Sequence, residues 1–132
     1  MVRIVICGDK QWSDYGLVEK VLSRINSVSR IECLIEGGRK GVDEWAFFAI
    51  LKIQPTAKIV EMLPNWQIKN TGSVLNQQML DEGKPDLVVA FHDDIDEWTK
   101  DMLEKAKERR IPVILINHET KLREEDELEK WF

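Results

Sequence analysis

The stretch GGRKG, residues 37–41, combines glycine-rich backbone with two cationic side chains and precedes a segment of helical pattern. Backbone N–H groups at a helix N-terminus favour an anion, and glycine lets a phosphate approach the backbone closely. The stretch matches neither the Walker pattern nor the dinucleotide fingerprint. Two interpretations stay open. Either Arg39, Lys40 and the loop amides hold a phosphate, or the glycines form a tight turn into a helix that begins with Asp43 and Glu44.

A second polar group follows the first apolar run of the chain. Gly8 would let a ligand approach the backbone, and Asp9, Lys10 and Trp12 come directly after it. Asp9 would then bond a ribose hydroxyl, and Trp12 would stack on a base. The alternative is structural, with Asp9 or Ser13 capping the next helix and Trp12 packing at its start as a hydrophobic staple.

A long polar segment, LPNWQIKNTGSVLNQQM, leads into the third helical pattern. Loops of this length inside a compact domain are often functional. Asn70, Thr71, Ser73 and Asn76 would bond a ligand from the loop and the first helical turn. Ser73 is also predicted to cap its own helix.

The acidic stretch FHDDIDEW places His92, Asp93, Asp94 and Asp96 within five residues. Hard-cation loops space their carboxylates alternately and usually contain a glycine, which this stretch lacks. A capped, solvated helix start is therefore favoured, and neither a metal nor a cofactor is predicted. Should two carboxylates face a site, they or Glu36 would supply the acid or base for cleaving a glycosidic bond.

These candidates must be positioned by strands and helices that alternate along the chain. Five short β-branched runs predict strands buried on both faces, as parallel sheets require. They are residues 2–7, 31–35, 57–62, 86–91 and 112–116. Helical patterns lie between them, at residues 13–25, 42–53, 73–83 and 94–110, with Ser13, Asp94 and Gly83 as predicted caps.

This alternation predicts an α/β fold, a Rossmann-like doubly wound parallel sheet of order 3-2-1-4-5 with helices on both faces. Residues 1–118 would form one domain, and residues 119–132 would add an acidic helix or tail. In such sheets ligands bind beyond the C-terminal strand ends, at the switch point between strands 1 and 4. The stretches after Gly8 and Phe91 lie there, with GGRKG beside them.

The composition agrees with one soluble, cytoplasmic domain of 132 residues. Charged residues make up 33% of the chain and apolar residues 43%, and no apolar run approaches the length that spans a membrane. The net charge of −5 disfavours duplex nucleic acid as a partner. Cys7 and Cys33 lie in apolar runs, without metal-ligand spacing to another Cys or His.

The helix predicted at residues 42–53 is apolar on nearly all sides. Such a helix must be covered on more than the side that faces its sheet. A homodimer through this helix is the favoured explanation. Burial under the C-terminal segment LEKWF, residues 128–132, is the alternative.

Taken together, VRIVICGD, LIEGGRKGVDEWA and TGSVLNQQMLDEGKPDLVVAF resemble the small YspA-like members of the SLOG superfamily. That Rossmann-like group includes the LOG-type nucleotide phosphoribohydrolases and the DNA-processing protein DprA. GGRKGVDEWA is similar to the family's GGARGxDxxA, and NQQMLDEGKPDLVVAF to its RNxxMLxxxxPDLVxAF. The resemblance implies a nucleotide-type pocket lined by Gly8, Gly37, Gly38, Arg39, Gly41, Asp43 and Asn76.

Four positions depart from the family pattern. The glycine loop PGGxGT after the fourth strand is replaced by HDDIDEWT, in which Thr99 keeps the threonine. Met102 stands where LOG-type enzymes have their catalytic glutamate, and Leu75 replaces an arginine. Asp9 stands where the YspA-like pattern usually has a second glycine. Acids in place of a glycine loop make a phosphate there unfavourable, which favours binding over catalysis.

The sequence therefore predicts binding of a nucleotide or nucleotide-derived metabolite, in a sensor or sequestering protein. The cations of GGRKG would hold phosphate, Trp12 or Trp66 would stack on the base, and Asp9 or Asn70 would bond the ribose. The main alternative is a hydrolase of N-glycosidic bonds using Asp93, Asp94, Asp96 or Glu36. A DprA-like single-strand binder and an interaction scaffold without a pocket are further alternatives.

Overall fold

The computed structural model describes residues 1–93 and 96–117. The strands are β1 (Val2–Gly8), β2 (Ile31–Glu36), β3 (Lys58–Glu61), β4 (Leu87–Phe91) and β5 (Val113–Ile116). The helices are α1 (Tyr15–Val28), α2 (Val42–Ile53), α3 (Thr71–Gly83) and α4 (Glu97–Glu108). Asp94, the predicted terminal helix and the segment 128–132 lie outside the described residues.

The five strands form one parallel sheet of order β3-β2-β1-β4-β5, which confirms the predicted fold. β1 is central because both of its faces are apolar. Its residue Ile4 pairs with Leu34 of β2 on one side and with Leu87 of β4 on the other. α1 and α2 cover one face of the sheet, and α3 and α4 cover the other.

Two helices start later than predicted, because Asp14 and Asp96 cap them in place of the predicted Ser13 and Asp94. Asp14, not Ser13, is the N-cap of α1, and its Oδ1 accepts from the N–H of Leu17 at 3.1 Å. Asp96 is the N-cap of α4, accepting from the N–H of Thr99 at 2.6 Å, so the helix begins after the predicted start at residue 94. Each cap satisfies a backbone donor of the first turn.

α3 begins two residues before its predicted start. Asn70 precedes it with a left-handed backbone (φ 55°) and makes no side-chain cap bond. Ser73 lies inside the helix, where its Oγ donates to Asp101 of α4 at 3.1 Å. The prediction that Ser73 caps α3 is therefore wrong. The predicted cap Gly83 is the last residue of the helix, and Lys84 follows as the C-cap.

α2 has the predicted bounds, and its apolar surface is only partly covered. Ala46, Ala49 and Ile50 are buried against the sheet and α1, whereas Phe48 is 48% exposed and Leu51 is 46% exposed. None of the helices in the described ranges is long and apolar enough to cross a membrane.

Candidate functional site

A cleft of about 830 Å³ opens at the C-terminal edge of the sheet. The loops after β1, β2 and β3 and the start of α4 supply its lining. This lining consists of Lys10, Gly37, Gly38, Arg39, Lys40, Leu63, Pro64, Trp66, Asp96, Glu97 and Trp98. Because four parallel strands end at this edge, their loops converge on one space, where ligands of open α/β sheets bind.

One side of the cleft is aromatic. The rings of Trp66 and Trp98 lie edge to face with centroids 5.9 Å apart. Trp66 is 71% exposed and Trp98 is half-buried, with Leu63 and Pro64 beside them. We call these four residues the aromatic wall. An exposed tryptophan in a cleft offers a face on which a planar ring can stack.

Trp12 does not belong to this wall. It is only 4% exposed, its ring meets Phe91 edge to face at 5.7 Å, and its Nε1 donates to the carbonyl of Asp14 at 3.0 Å. The prediction that Trp12 stacks on a base is wrong, because the core beneath β1 and β4 already covers the ring.

The backbone amides of GGRKG face the protein's own carboxylates. The N–H groups of Gly37 and Arg39 both donate to Oδ2 of Asp43 at 3.2 Å, and the N–H of Gly38 donates to Oε2 of Glu36 at 2.6 Å. Asp43 and Glu36 are both buried. The prediction that amides after Gly37 hold a phosphate is therefore wrong for these three donors.

The glycines of this loop support the tight-turn interpretation. Gly41 precedes α2 with φ of 80°, a conformation that L side chains rarely adopt, and a Cβ there would lie 2.5 Å from the carbonyl oxygen of Asp9. Gly8 is paired with Phe91 in the sheet, and a Cβ on Gly8 would collide with the Phe91 carbonyl. Both glycines allow close packing of backbone.

Asp9 closes the turn after β1. Its Oδ1 accepts from the N–H of Gln11 at 2.8 Å, and its carbonyl accepts from the N–H of Trp12 at 3.1 Å. Asp9 does not line the cleft, whereas its neighbour Lys10 does. This arrangement supports the structural alternative for Asp9, although as a turn rather than as a helix cap.

Arg39 spans the cleft and holds α4 to the loop after β2. Its Nη2 lies 3.1 Å from Oδ2 of Asp96 and 3.4 Å from the carbonyl oxygen of Gly8, and its guanidinium lies 4.5 Å from the ring centroid of Trp98. We call the ion pair the Arg39–Asp96 clasp. The Arg39 side chain is 15% exposed and the Asp96 side chain is 39% exposed, so the ion pair is only partly shielded from solvent.

Asp96 is held in its charged form. Burial raises its pKa, but the hydrogen bonds from Thr99 and the guanidinium of Arg39 outweigh burial, and the net pKa is lowered. Asp96 is therefore a carboxylate with both oxygens in use, at the N-terminus of α4. Such a group is poorly suited to act as a proton acceptor.

Lys10 and Lys40 are the exposed cations of the cleft. Neither makes a salt bridge within residues 1–93 and 96–117. Their ammonium groups remain able to meet an anionic ligand at the rim. Lys40 therefore stays a predicted contact for an anionic ligand, whereas Arg39 is bound to Asp96.

The polar side chains of α3 lie behind the aromatic wall. Asn76 is buried; its Nδ2 donates to the carbonyl of Trp98 at 2.9 Å and to Asp101 at 3.0 Å, and its Oδ1 accepts from the indole of Trp98 at 3.2 Å. Asn76 therefore positions Trp98 and does not face the cleft. The predicted ligand contact of Asn76 is wrong for this reason.

Asn70 and Ser73 line a separate cavity of about 500 Å³ on the other side of Trp98, together with Asp101 and Glu104. Lys105 donates to Ser73 at 2.8 Å and to Asp101 at 2.7 Å, so these two polar side chains of the cavity already have a partner within the protein. Thr71 begins α3, and its buried Oγ1 has no partner among the described residues.

Glu36 lies outside the cleft, beneath Gly38. It is 1% exposed, and burial, reinforced by the neighbouring carboxyl group of Glu61, raises its pKa to about 8. Glu36 and Glu61 are register partners at the ends of β2 and β3 and share a small cavity of about 140 Å³ with Phe47 and Phe48. A carboxyl with this pKa is protonated at neutral pH.

The other acidic candidates that the structure describes, Asp43 and Asp93, lie outside the cleft lining. Asp43 is buried, and burial raises its pKa to about 6 against the opposing effect of the Arg39 N–H and guanidinium. Asp93 is exposed outside the cleft lining. Burial lowers the pKa of His92, whose ring nitrogens are unpartnered among the described residues. In this part of the chain no group of three or more potential ligands could hold a metal ion.

The sequence did not single out Leu63, Pro64, Glu97 or Trp98 as cleft residues. Trp98 carried one usable signal, since it lies in the first turn of a helix that follows a strand end of the sheet. Residues just beyond the C-terminal strand ends of such a sheet are candidate ligand contacts.

Comparison with known proteins gives one family match. The model of the YAcAr family, described as the YspA, cpYpsA-related SLOG family, matches residues 2–67, half of the 132 residues. The matched segment runs from β1 to the loop after β3 and includes GGRKG and Trp66. No curated protein and no solved structure matches the chain significantly.

Proposed function

Since the chain belongs to the YspA, cpYpsA-related SLOG family, we propose that it binds a nucleotide or nucleotide-derived metabolite in the cleft. The single observation that carries this proposal is the exposed Trp66 of the aromatic wall, with Lys10 and Lys40 lining the same cleft. A planar base would stack on Trp66, and the phosphate would meet the two ammonium groups. Stacking of a base on an aromatic side chain contributes about 1–3 kcal/mol.

The cleft is large enough for such a ligand, because pockets for small molecules measure about 300–1,000 Å³. Its apolar side chains and its cations lie on different loops, so one ligand would contact the ends of β1, β2, β3 and β4 together. We propose that the protein acts as a sensor or sequestering module. Cys7 and Cys33 are free buried thiols, which supports a reducing, cytoplasmic compartment.

We favour binding over hydrolysis of an N-glycosidic bond. The carboxylate of Asp96 is bound by Arg39 and Thr99, and Glu36 lies outside the cleft beneath the loop. Glu97 is an exposed carboxylate in the lining, but no described side chain is hydrogen-bonded to it to orient or activate it. General acid–base catalysis needs a positioned group, and this cleft lacks one among the described residues.

The binding test is calorimetric titration of the protein with nucleoside monophosphates, nucleoside diphosphates, ADP-ribose and cyclic nucleotides. For a ligand that binds, Trp66→Ala should weaken affinity about 5–100-fold, the equivalent of losing one stacked base. Ile68→Ala is the matched control, because Ile68 is an exposed apolar residue of the same loop outside the cleft lining. Equal effects of the two substitutions would contradict stacking on Trp66, and absence of binding by every compound would contradict the proposal. Release of free base during the titration, detected by chromatography, would instead support the hydrolase.

We also propose that two copies associate through α2. Phe48 and Leu51 expose adjacent apolar surface on this helix, and Phe47 packs edge to face on Phe48 with ring centroids 5.5 Å apart. Contiguous apolar patches of this kind mark interaction sites. Light scattering should give the mass of a dimer for the full chain.

A further inference from the structure

The places in the cleft that would hold a second phosphate are filled by the protein's own carboxylates. At the start of α4, Oδ1 of Asp96 accepts from the Thr99 N–H at 2.6 Å and Oδ2 binds Arg39 at 3.1 Å. One side chain thus accepts both from an N–H group in the first turn of α4 and from the guanidinium of Arg39. An incoming phosphate would have to displace this carboxylate and would meet its charge.

The loop after β2 is filled in the same way. The amides of Gly37, Gly38 and Arg39 donate to Asp43 and Glu36, which are 5% and 1% exposed. Because these carboxyl groups are buried beneath the loop, a ligand in the cleft reaches the opposite side of the backbone. The loop therefore offers the side chain of Lys40, not a cradle of these three N–H groups.

The charge that remains is small. Among the residues that the structure describes, three cationic and two acidic side chains line the cleft. Arg39 and Asp96 neutralise each other at 3.1 Å, which leaves Lys10 and Lys40 opposed by Glu97. This balance suits one phosphate group at the rim and is unfavourable for the additional charge of a diphosphate.

We propose, as a refinement that rests on the proposed function, that the cleft selects planar ligands with a single phosphate, the class of nucleoside monophosphates, and discriminates against diphosphates. The Arg39–Asp96 clasp is the specificity determinant. The carboxylate of Asp96 occupies the guanidinium of Arg39, which would otherwise be available to a second phosphate. The aromatic wall and the two lysines bind the rest of the ligand.

The test is calorimetric titration with the nucleoside, the monophosphate and the diphosphate of adenosine, guanosine, cytidine and uridine. For the base that binds, the monophosphate should bind about 10-fold tighter than the nucleoside, because two ammonium groups meet the phosphate. The diphosphate should bind no tighter than the monophosphate, since the carboxylate of Asp96 occupies the guanidinium that would meet its second phosphate.

Asp96→Asn is the decisive variant. Asparagine still caps α4, but it no longer forms an ion pair with Arg39, so the guanidinium becomes available to a second phosphate. The ratio of diphosphate to monophosphate affinity should rise about 10-fold. Glu97→Gln is the matched control, because it removes the same charge from the lining without releasing Arg39, and it should change the ratio less than about 3-fold.

Each outcome decides between the two proposals. A wild-type protein that binds diphosphates measurably tighter than monophosphates overturns the selectivity and leaves nucleotide binding intact. Equal changes of the ratio in the Asp96→Asn and Glu97→Gln variants overturn the role of the clasp, because net charge alone would then explain the preference. If no compound binds, both proposals fail.

Discussion

Replacing Glu36 by glutamine should change how the stability of the protein depends on pH. Glutamine has the same shape, keeps an oxygen that accepts from the N–H of Gly38, and cannot ionise. Folded Glu36 keeps its proton up to about pH 8, whereas the unfolded chain releases it near the ordinary value of 4.5. Between these values the folded state binds more protons, so the free energy of unfolding falls as pH rises through this window.

The expected size follows from the pKa. While the folded state binds one proton more than the unfolded state, the free energy of unfolding falls by about 1.4 kcal/mol for each unit that the pH rises. The full effect is on the order of 4 kcal/mol at most, because relaxation of the protein and the shared contact with Glu61 reduce it. The Glu36→Gln variant lacks this loss and should become progressively more stable than the wild type from pH 5 to pH 8.

Urea unfolding of both proteins at pH 5, 6, 7, 8 and 9 measures this difference directly. Changes from groups that do not interact with Glu36, such as His92, cancel between wild type and variant. Glu44→Gln is the matched control, because Glu44 lines the same small cavity and is exposed. A stability difference between Glu36→Gln and wild type that stays constant from pH 5 to pH 9 would refute a protonated, buried Glu36.

Three further substitutions test the packing around the loop and the exposed helix. Asp43→Ala leaves two amides of GGRKG without an acceptor and should lower the free energy of unfolding by about 2–4 kcal/mol in urea; a loss below 0.5 kcal/mol would contradict that bonding. Gly41→Ala places a Cβ against Asp9 at positive φ and should cost at least about 1 kcal/mol, whereas Gly16→Ala in α1 meets no atom closer than 3.8 Å and should be neutral or stabilising. Phe48→Glu should convert a dimer to a monomer in light scattering without changing the melting behaviour of the monomer, and a dimer that persists would place the contact elsewhere.

The sequence predicted the sheet well because each strand carries its own signal. The five β-branched runs are short and continuous, and β1 and β4 are buried on both faces as predicted. The prediction of burial on both faces is wrong for the edge strands β3 and β5, which are partly exposed. α2 has the predicted bounds for a similar reason, since its start follows Gly41 and the apolar pattern ends at Ile53. The location of the cleft then follows from topology, because all parallel strands end at the same edge.

The direction of the GGRKG amides could not be predicted, because it depends on which carboxylate the folded chain places beneath the loop. Glycine-rich turns that hold a phosphate and turns that close on Asp43 have the same local composition. The Arg39–Asp96 clasp joins residues 57 positions apart and leaves no trace in either local segment. Trp12 and Trp66 each follow a predicted strand, so the sequence does not show which of them is buried. In the folded chain Trp12 packs on Phe91 of β4 and belongs to the core, whereas Trp66 is exposed.

The indole N–H signals of the tryptophans test the central claim, binding of a nucleotide in the cleft, most directly. In a heteronuclear NMR titration with nucleoside monophosphates, the signals of Trp66 and Trp98 should shift with increasing ligand, because both indoles belong to the aromatic wall. Those of Trp12 and Trp45 should stay in place, because their N–H groups are bonded to backbone carbonyls away from the cleft. Shifts confined to Trp12 and Trp45, or unchanged signals for all four at saturating ligand, would contradict the account.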